Sequence, residues 1–299
     1  MARAIQWGLR RASRGDPERL AHRARRLLNA PNPLQYAGMR GVRIEPVREG
    51  PVRGEWVTAE PSAGGVLLYL HGGGYVAGSP ATHRPITAAL ARLSGRRVFG
   101  LRYRLAPAHR FPAALDDALA AYRWLLEQGT PGCALTLAGD SAGGGLLLAT
   151  LVRARDAGLP LSAGAACFSP WTDLAATGAA LLRNDGRTRT LRRETIAAFA
   201  RLYLGEASPT NPYASPVFAD LSGLPPILFQ VGSTELLLDD TLRVHTKIES
   251  AGGPTTLQIF DGMFHAWHLL DGLIPEARLA LHQAATFLNT PGTFTPTAP

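Results

Sequence analysis

Between residues 65 and 288 the chain repeats one pattern: a short, nearly continuous apolar run, a turn rich in glycine or proline, then a stretch of helical period. "GVLLYL" (Gly65 to Leu70) leads to a helix near Ile86 to Leu93, and "RVFGLRY" (Arg97 to Tyr103) to "AALDDALAAYRWLLEQ". "CALTLAG" (Cys133 to Gly139) leads to "AGGGLLLATLVRARDAG", and "AGAACFS" (Ala163 to Ser169) to an insertion with helix signals around Arg192 to Tyr203. "PILFQVG" (Pro226 to Gly232) precedes a helix from Leu237 to Ser250, and "TTLQIF" (Thr255 to Phe260) one from Glu276 to Leu288. Runs that stay apolar without alternating belong to strands buried on both faces. Strands that alternate with helices build a mainly parallel sheet covered on both sides. The chain is therefore read as α/β, and its functional groups are expected on loops at the carboxyl ends of the strands.

A chain of 299 residues, 46% hydrophobic and 18% charged, can bury a sizeable core in one large domain or two small ones. No apolar run reaches the ~18 residues of a membrane helix, so no stable membrane insertion is expected. The net charge of +8 is uneven. Arg3, Arg10, Arg11, Arg14, Arg19, Arg23, Arg25 and Arg26 face only Asp16 and Glu18 in the first 26 residues, a local +6 that leaves +2 elsewhere. This segment reads as an amphipathic helix with a solvated arginine face, and no aromatic-interleaved basic stripe follows, so nucleic acid is not an expected partner. Arg10-Arg11 has no apolar segment after it and makes a poor export signal. Cys133 and Cys167 are expected as reduced core residues of a cytoplasmic protein, since two cysteines so spaced form neither a disulfide framework nor a metal site.

"LTLAGDSAGGGLLLAT" places Ser141 where an apolar strand meets a helix, inside Gly139-Asp140-Ser141-Ala142-Gly143. A G-x-S-x-G turn in that context is a nucleophile elbow: glycines permit the sharp turn, and the serine oxygen is lifted to a helix N-terminus whose amides favour negative charge. No lysine follows to make the turn a phosphate loop. After the strand ending at Leu70 comes His71-Gly72-Gly73-Gly74, a loop whose backbone N–H groups can approach a reacting oxygen. Gly72 and Gly73 are the expected oxyanion donors with Ala142, while His71 and Gly74 support the loop. Asp140 either tunes the elbow by hydrogen bonding or faces solvent.

A base should follow a late strand. "DGMFHAWHLL" offers His265, on the loop leaving the strand, and His268, read as a substrate-side or surface histidine. The acid should fall between serine and histidine. "GSTELLLDD" offers Glu235, still on the loop, and Asp239 as its rival, because first-turn acids such as Asp239 and Asp240 have an ordinary helix-dipole explanation.

"HGGGY", "GDSAGGGL", "YRLAPAHRFPAALDDALAAYRWL", "SPWTDL" and "DGMFHAW", spread over roughly residues 60–290, make the chain resemble the bacterial hormone-sensitive-lipase-like family of α/β-hydrolase carboxylesterases. The family's acid block usually starts with aspartate, where this chain has Glu235; Ala108 replaces a usual glutamate. The resemblance implies an α/β-hydrolase fold with an eight-stranded sheet and an N-terminal helical cap. The cap is placed at residues 1–45, with Trp7, Leu9 and Leu20 in its lid. A catalytic domain follows over 46–290, with a possible second cap segment at 170–215 and a flexible tail at 291–299. It further implies hydrolysis of short to medium acyl esters through an acyl-enzyme, with an ester and water as reactants, no cofactor and no metal. Relatives often form homodimers. Deacetylase, amidase or lactonase chemistry on a small metabolite uses the same machinery. A hydrolase-like receptor without catalysis would lack a triad member.

Overall fold

The computed structural model describes residues 17–29, 39, 41–62, 64–187 and 191–295. One eight-stranded sheet dominates, in the order β1-β2-β4-β3-β5-β6-β7-β8. Its strands are β1 (Val42–Glu49), β2 (Val52–Ala59), β3 (Val66–Leu70), β4 (Arg97–Leu101), β5 (Leu135–Asp140), β6 (Gly164–Phe168), β7 (Ile227–Gly232) and β8 (Thr255–Phe260). β1 and β2 pair antiparallel, as do β2 and β4, and every later pair is parallel. The six apolar runs of the sequence are β3 to β8. The β1–β2 hairpin carries no such run; its charged alternation, as in "VRIEPVRE", hides it.

The helices are α1 (Pro17–Leu28), α2 (Arg84–Ser94), α3 (Ala113–Glu127), α4 (Ala142–Asp156), the short α5 (Ala180–Arg183), α6 (Arg193–Leu204), α7 (Leu238–Ser250) and α8 (Pro275–Asn289). Alternate side chains of β3 show how they are distributed. Leu67 and Tyr69 join Ile86 and Leu90 of α2 and Leu281 and Leu288 of α8 on one face. Leu68 and Leu70 join Leu115 of α3, Leu147 and Leu151 of α4 and Val244 of α7 on the other. Successive strand side chains point to opposite faces, so both cores follow from one five-residue strand. Among the described residues no helix is long and apolar enough to cross a membrane.

Part of the basic N-terminal segment is α1, with Leu20, Ala21 and Ala24 buried and Arg19, Arg23 and Arg26 exposed. It packs against α6, which belongs to the insertion between β6 and β7. Arg25 is not on a solvated face: its Nε donates to Val76 O at 2.7 Å and its Nη2 to Ala106 O at 2.6 Å. Trp7, Leu9 and the four arginines before Asp16 lie outside the described residues. Three other expectations change. Strand β1 starts at Val42, inside the range assigned to the cap, so the sheet begins earlier than residue 46. Cys133 is exposed in a 3-10 turn ahead of β5, while Cys167 is buried in β6. The tail packs at least to Phe294, whose ring meets Phe287 edge-on at 5.4 Å.

Candidate active site

Strand β5 ends at Asp140 and α4 begins at Ala142, so a single residue, Ser141, makes the turn. Its φ of 54° and ψ of −123° lie where a side chain is strained, at a cost of about 1–3 kcal/mol. Four backbone hydrogen bonds hold it there. Ser141 N donates to Phe168 O at 2.8 Å, and Ser141 O accepts from Trp171 N at 2.8 Å, Gly144 N at 3.0 Å and Gly145 N at 3.1 Å. The glycines are required by close approach: a Cβ on Gly143 would stand 2.0 Å from Leu70 O, and one on Gly145 the same distance from Trp171 O.

Ser141 Oγ lies 2.8 Å from His265 Nε2, and His265 Nδ1 lies 2.7 Å from Glu235 Oε2. A carboxylate facing Nδ1 places the ring proton there, which leaves Nε2 to accept from the serine hydroxyl. Glu235 is fully buried. Its other oxygen, Oε1, accepts from Ser169 Oγ at 2.6 Å and Gly232 N at 2.7 Å. The loop carrying the glutamate is tied to the loop carrying the histidine, because Thr234 Oγ1 donates to Met263 O at 2.6 Å. Asn184 Nδ2 donates to Glu235 O at 2.8 Å from the insertion.

The rival acid is turned elsewhere. Asp239 Oδ2 accepts from Ala180 N at 2.8 Å and Oδ1 from Arg183 Nη2 at 3.3 Å. Asp240 Oδ2 accepts from Thr172 N and Asp173 N, each at 2.8 Å. Both aspartates thus fasten the insertion to α7. Burial, with Asp173 adding to it, raises the Asp240 carboxyl to about 7 against the hydrogen bonds from the backbone of Thr172 and Asp173.

The glycine loop is held from behind. His71 is buried, stacks on Tyr103 at 4.2 Å, and its Nδ1 donates to Gly72 O at 2.8 Å. Tyr103 Oη donates to His71 O at 2.7 Å. Burial, then the charge of His83, lowers the His71 pKa to about 3, so the ring is neutral. Asp140 is buried as well and does not face solvent. Its Oδ1 accepts from Tyr69 Oη at 2.7 Å and Gly72 N at 2.9 Å, and His83 Nε2 lies 3.3 Å from Oδ2. Burial raises its pKa, but the charge and hydrogen bond of His83 with those of Tyr69 and Gly72 outweigh this and hold the carboxyl below its usual range. One expected oxyanion donor is thereby corrected: the Gly72 N–H is committed to Asp140. Gly73 and Gly74, at φ of 119° and 64°, donate to no described group, nor does Ala142 at the start of α4.

His268 is not at the surface or on a substrate side. A 3-10 turn, Trp267–Leu270, tucks it under the sheet, stacked on Phe168 at 4.4 Å and 3.1 Å from Gln230 Oε1. Burial lowers its pKa to about 3. Ser169 opens the "SPWTDL" block, yet the block gives it no role by itself; its contact with Glu235 arises because it directly follows β6 and β6 neighbours β7, whose end carries Gly232. Among the described residues no cluster of His, Cys, Asp or Glu could hold a metal ion.

A sheet of this order, with a serine turn between β5 and the following helix, is the architecture of the α/β hydrolases, and the chain belongs to that family, whose sequence profile matches residues 67–269. It is, more narrowly, a carboxylic-ester hydrolase of the bacterial hormone-sensitive-lipase group. A crystal structure described as an esterase from that group is 39% identical, with a TM-score of 0.86, covering 96% of this chain and 97% of that one. An acetyl-hydrolase of Streptomyces hygroscopicus is 47% identical over 244 residues, 82% of either chain. An esterase of Acinetobacter venetianus is 36% identical over 83% of this chain and 82% of that one.

Proposed function

We propose that the chain hydrolyses short acyl esters through a Ser141–His265–Glu235 triad and an acyl-enzyme. The observation that carries this is the unbroken hydrogen-bonded run from Ser141 Oγ through both nitrogens of His265 to the buried Glu235. Ser141 Oγ attacks the ester carbonyl carbon as His265 Nε2 takes its proton, and Glu235 stabilises the imidazolium. N–H groups of Gly73, Gly74 and Ala142 receive the oxyanion; Gly74 here joins the donor set in place of Gly72. His265 returns the proton to the departing alkoxide. Water, deprotonated by the same nitrogen, then attacks the acyl-enzyme and releases the acid. No metal or organic cofactor enters any step.

The acyl preference rests on packing beside the glycine loop. A Cβ on Gly74 would stand 2.3 Å from the Phe199 ring of α6. Tyr75 stacks on Tyr203 at 3.8 Å and lies 6.0 Å from Trp171. We take these buried rings to bound the acyl end of the site, with α1 and α6 together as the cap over it. A relative's name, acetyl-hydrolase, makes deacetylation of a small metabolite the reading to set beside simple ester hydrolysis. The test is a p-nitrophenyl series from acetyl to dodecanoyl together with a panel of acetylated metabolites, on the wild type and Ser141→Ala. The expected outcome is a preference for acetyl and butyryl esters and a loss in Ser141→Ala on the order of 10⁶-fold in kcat. A peak at dodecanoyl, or an active Ser141→Ala, would refute the reading.

A further inference from the structure

A cleft of about 970 Å³ opens beside His71, and neither Ser141, Glu235 nor His265 lines it. Arg25 of α1, Arg53 of β2, and Arg102, Arg104 and His109 beyond β4 contribute to its walls, with Asp117 as their carboxylate. The positive charge is arranged by the sheet. Arg48 of β1 stands directly across from Arg53 of β2. Arg102 N donates to Arg53 O at 2.8 Å, continuing the antiparallel pairing of Gly54 with Leu101. Residues paired in this way point to the same face about 5 Å apart, so the three arginine side chains leave the sheet on one face, with Arg53 and Arg102 on the cleft wall and Arg48 flanking them outside it. All three residues are exposed.

Like charges directly opposite one another are unfavourable unless something neutralises them, and the nearby carboxylates are already occupied. Glu55, two residues along the same face of β2, receives Arg84 on both oxygens, at 2.8 and 2.7 Å. Asp117 takes Arg104, with Nε 3.0 Å from each oxygen. Arg25 donates to Val76 O and Ala106 O. Among the described residues no carboxylate meets Arg48, Arg53 or Arg102.

We infer that this cleft is a binding site for a phosphorylated small metabolite, whose phosphate is received by Arg53 and Arg102 at the end of β4. A planar guanidinium fork matches phosphate geometry, and a dianion answers a row of cations better than a single carboxylate does. The cleft volume lies at the upper end of small-molecule sites, which run to about 1,000 Å³, so it has room for more than the phosphate group. Because Arg25 of α1 and Asn29, the residue just after it, form one wall and Arg53 of the sheet another, the occupant ties α1 to the hydrolase domain. The site stands independently of the ester chemistry.

The test uses the full chain and inorganic pyrophosphate as probe, by isothermal calorimetry and thermal melting at constant ionic strength set with sodium chloride. Pyrophosphate should bind and raise Tm. In Arg53→Gln/Arg102→Gln its affinity should fall at least about tenfold, while the probe-free Tm stays level or rises because the cation row is relieved. Arg278→Gln/Arg123→Gln removes the same charge from α8 and α3, away from the cleft, and should bind the probe as the wild type does. Binding no stronger than that of chloride overturns the site. So does an affinity in the cleft variant within about twofold of wild type, or an equal loss in the charge-matched control. If the cleft variant melts early, the single Arg53→Gln and Arg102→Gln variants replace it, with the same criteria.

Discussion

The oxygen of Glu235 that does not face His265 is as informative as the one that does. Ser169 and Gly232 hold Oε1, so the carboxylate cannot rotate, and Oε2 stays on the imidazole. Glu235→Gln keeps the volume but removes the charge and can present an amide N–H to Nδ1, which disfavours the productive tautomer. We expect kcat to fall by about 10³–10⁴-fold with KM little changed. Asp239→Asn breaks the contact to Arg183 only, and its activity should stay within about threefold of wild type, since exposed ion pairs contribute little. Steady-state kinetics on the two variants separates the acids; comparable losses would contradict the assignment. The chain order of serine, acid and histidine made Ser141, Glu235 and His265 legible, because each follows a recognisable strand. Gly72 and Ser169 do not reveal their hydrogen bonds in the sequence, for one reason. Their partners, Asp140 and Glu235, lie 68 and 66 residues away and become neighbours only through parallel pairing of β3 with β5 and β6 with β7.

At the scale of elements, α4 and α1 are positioned by opposite means. Helix α4 sits close because it lacks side chains where Leu70, Pro170 and Trp171 approach. Gly145→Ala should gain about 1 kcal/mol in helix propensity. Its Cβ, however, would stand 2.0 Å from Trp171 O, and relieving such a clash costs typically 1–3 kcal/mol or more. Clash wins, and because Trp171 N also holds Ser141 O, both Tm and kcat should fall; a variant more stable and fully active would contradict this. Helix α1 is instead fastened by a side chain. Arg25→Leu retains packing but loses two charged hydrogen bonds, roughly 1–3 kcal/mol after allowing for partial exposure. Faster amide exchange confined to α1, with kcat for the acetyl ester changed less than Tm, is the expected signature. The arginine-rich composition of this segment was plain from sequence, yet it did not single out Arg25. Its acceptors, Val76 and Ala106, are loop carbonyls 51 and 81 residues away. The β1–β2 hairpin leaves no mark in the sequence for a different reason: an edge ribbon needs no continuous apolar run.

Across the whole molecule, buried titratable groups set how stability depends on pH. His71 and His268, both lowered to about 3, stay neutral in the fold but take up protons in the unfolded chain below about pH 6.5. Their contribution is complete above that pH and is lost as pH falls. Asp240 acts in the opposite sense: raised to about 7, it holds a proton in the fold that the unfolded chain has released above about pH 3.9. Its contribution is lost as pH rises from about 4 to 7. His83, raised by Asp140 against the effect of burial, is also protonated longer in the fold, so stability falls with pH above about 6.5 on its account. The lowered pKa of Asp140 acts only below about pH 4. Between about pH 4 and 6.5 the unfolded chain therefore gains two protons where the fold gains one. Stability should climb by about 1.4 kcal/mol per pH unit to a maximum near neutrality. Asp240→Asn removes the opposing proton while its side-chain oxygen can still accept from Thr172 and Asp173. The acid limb should then steepen to about two protons, or roughly 2.7 kcal/mol per pH unit. Urea unfolding of both proteins at intervals across that range reads the slopes directly. Equal slopes would mean that Asp240 is ionised in the fold, with its charge compensated by Arg243 after all.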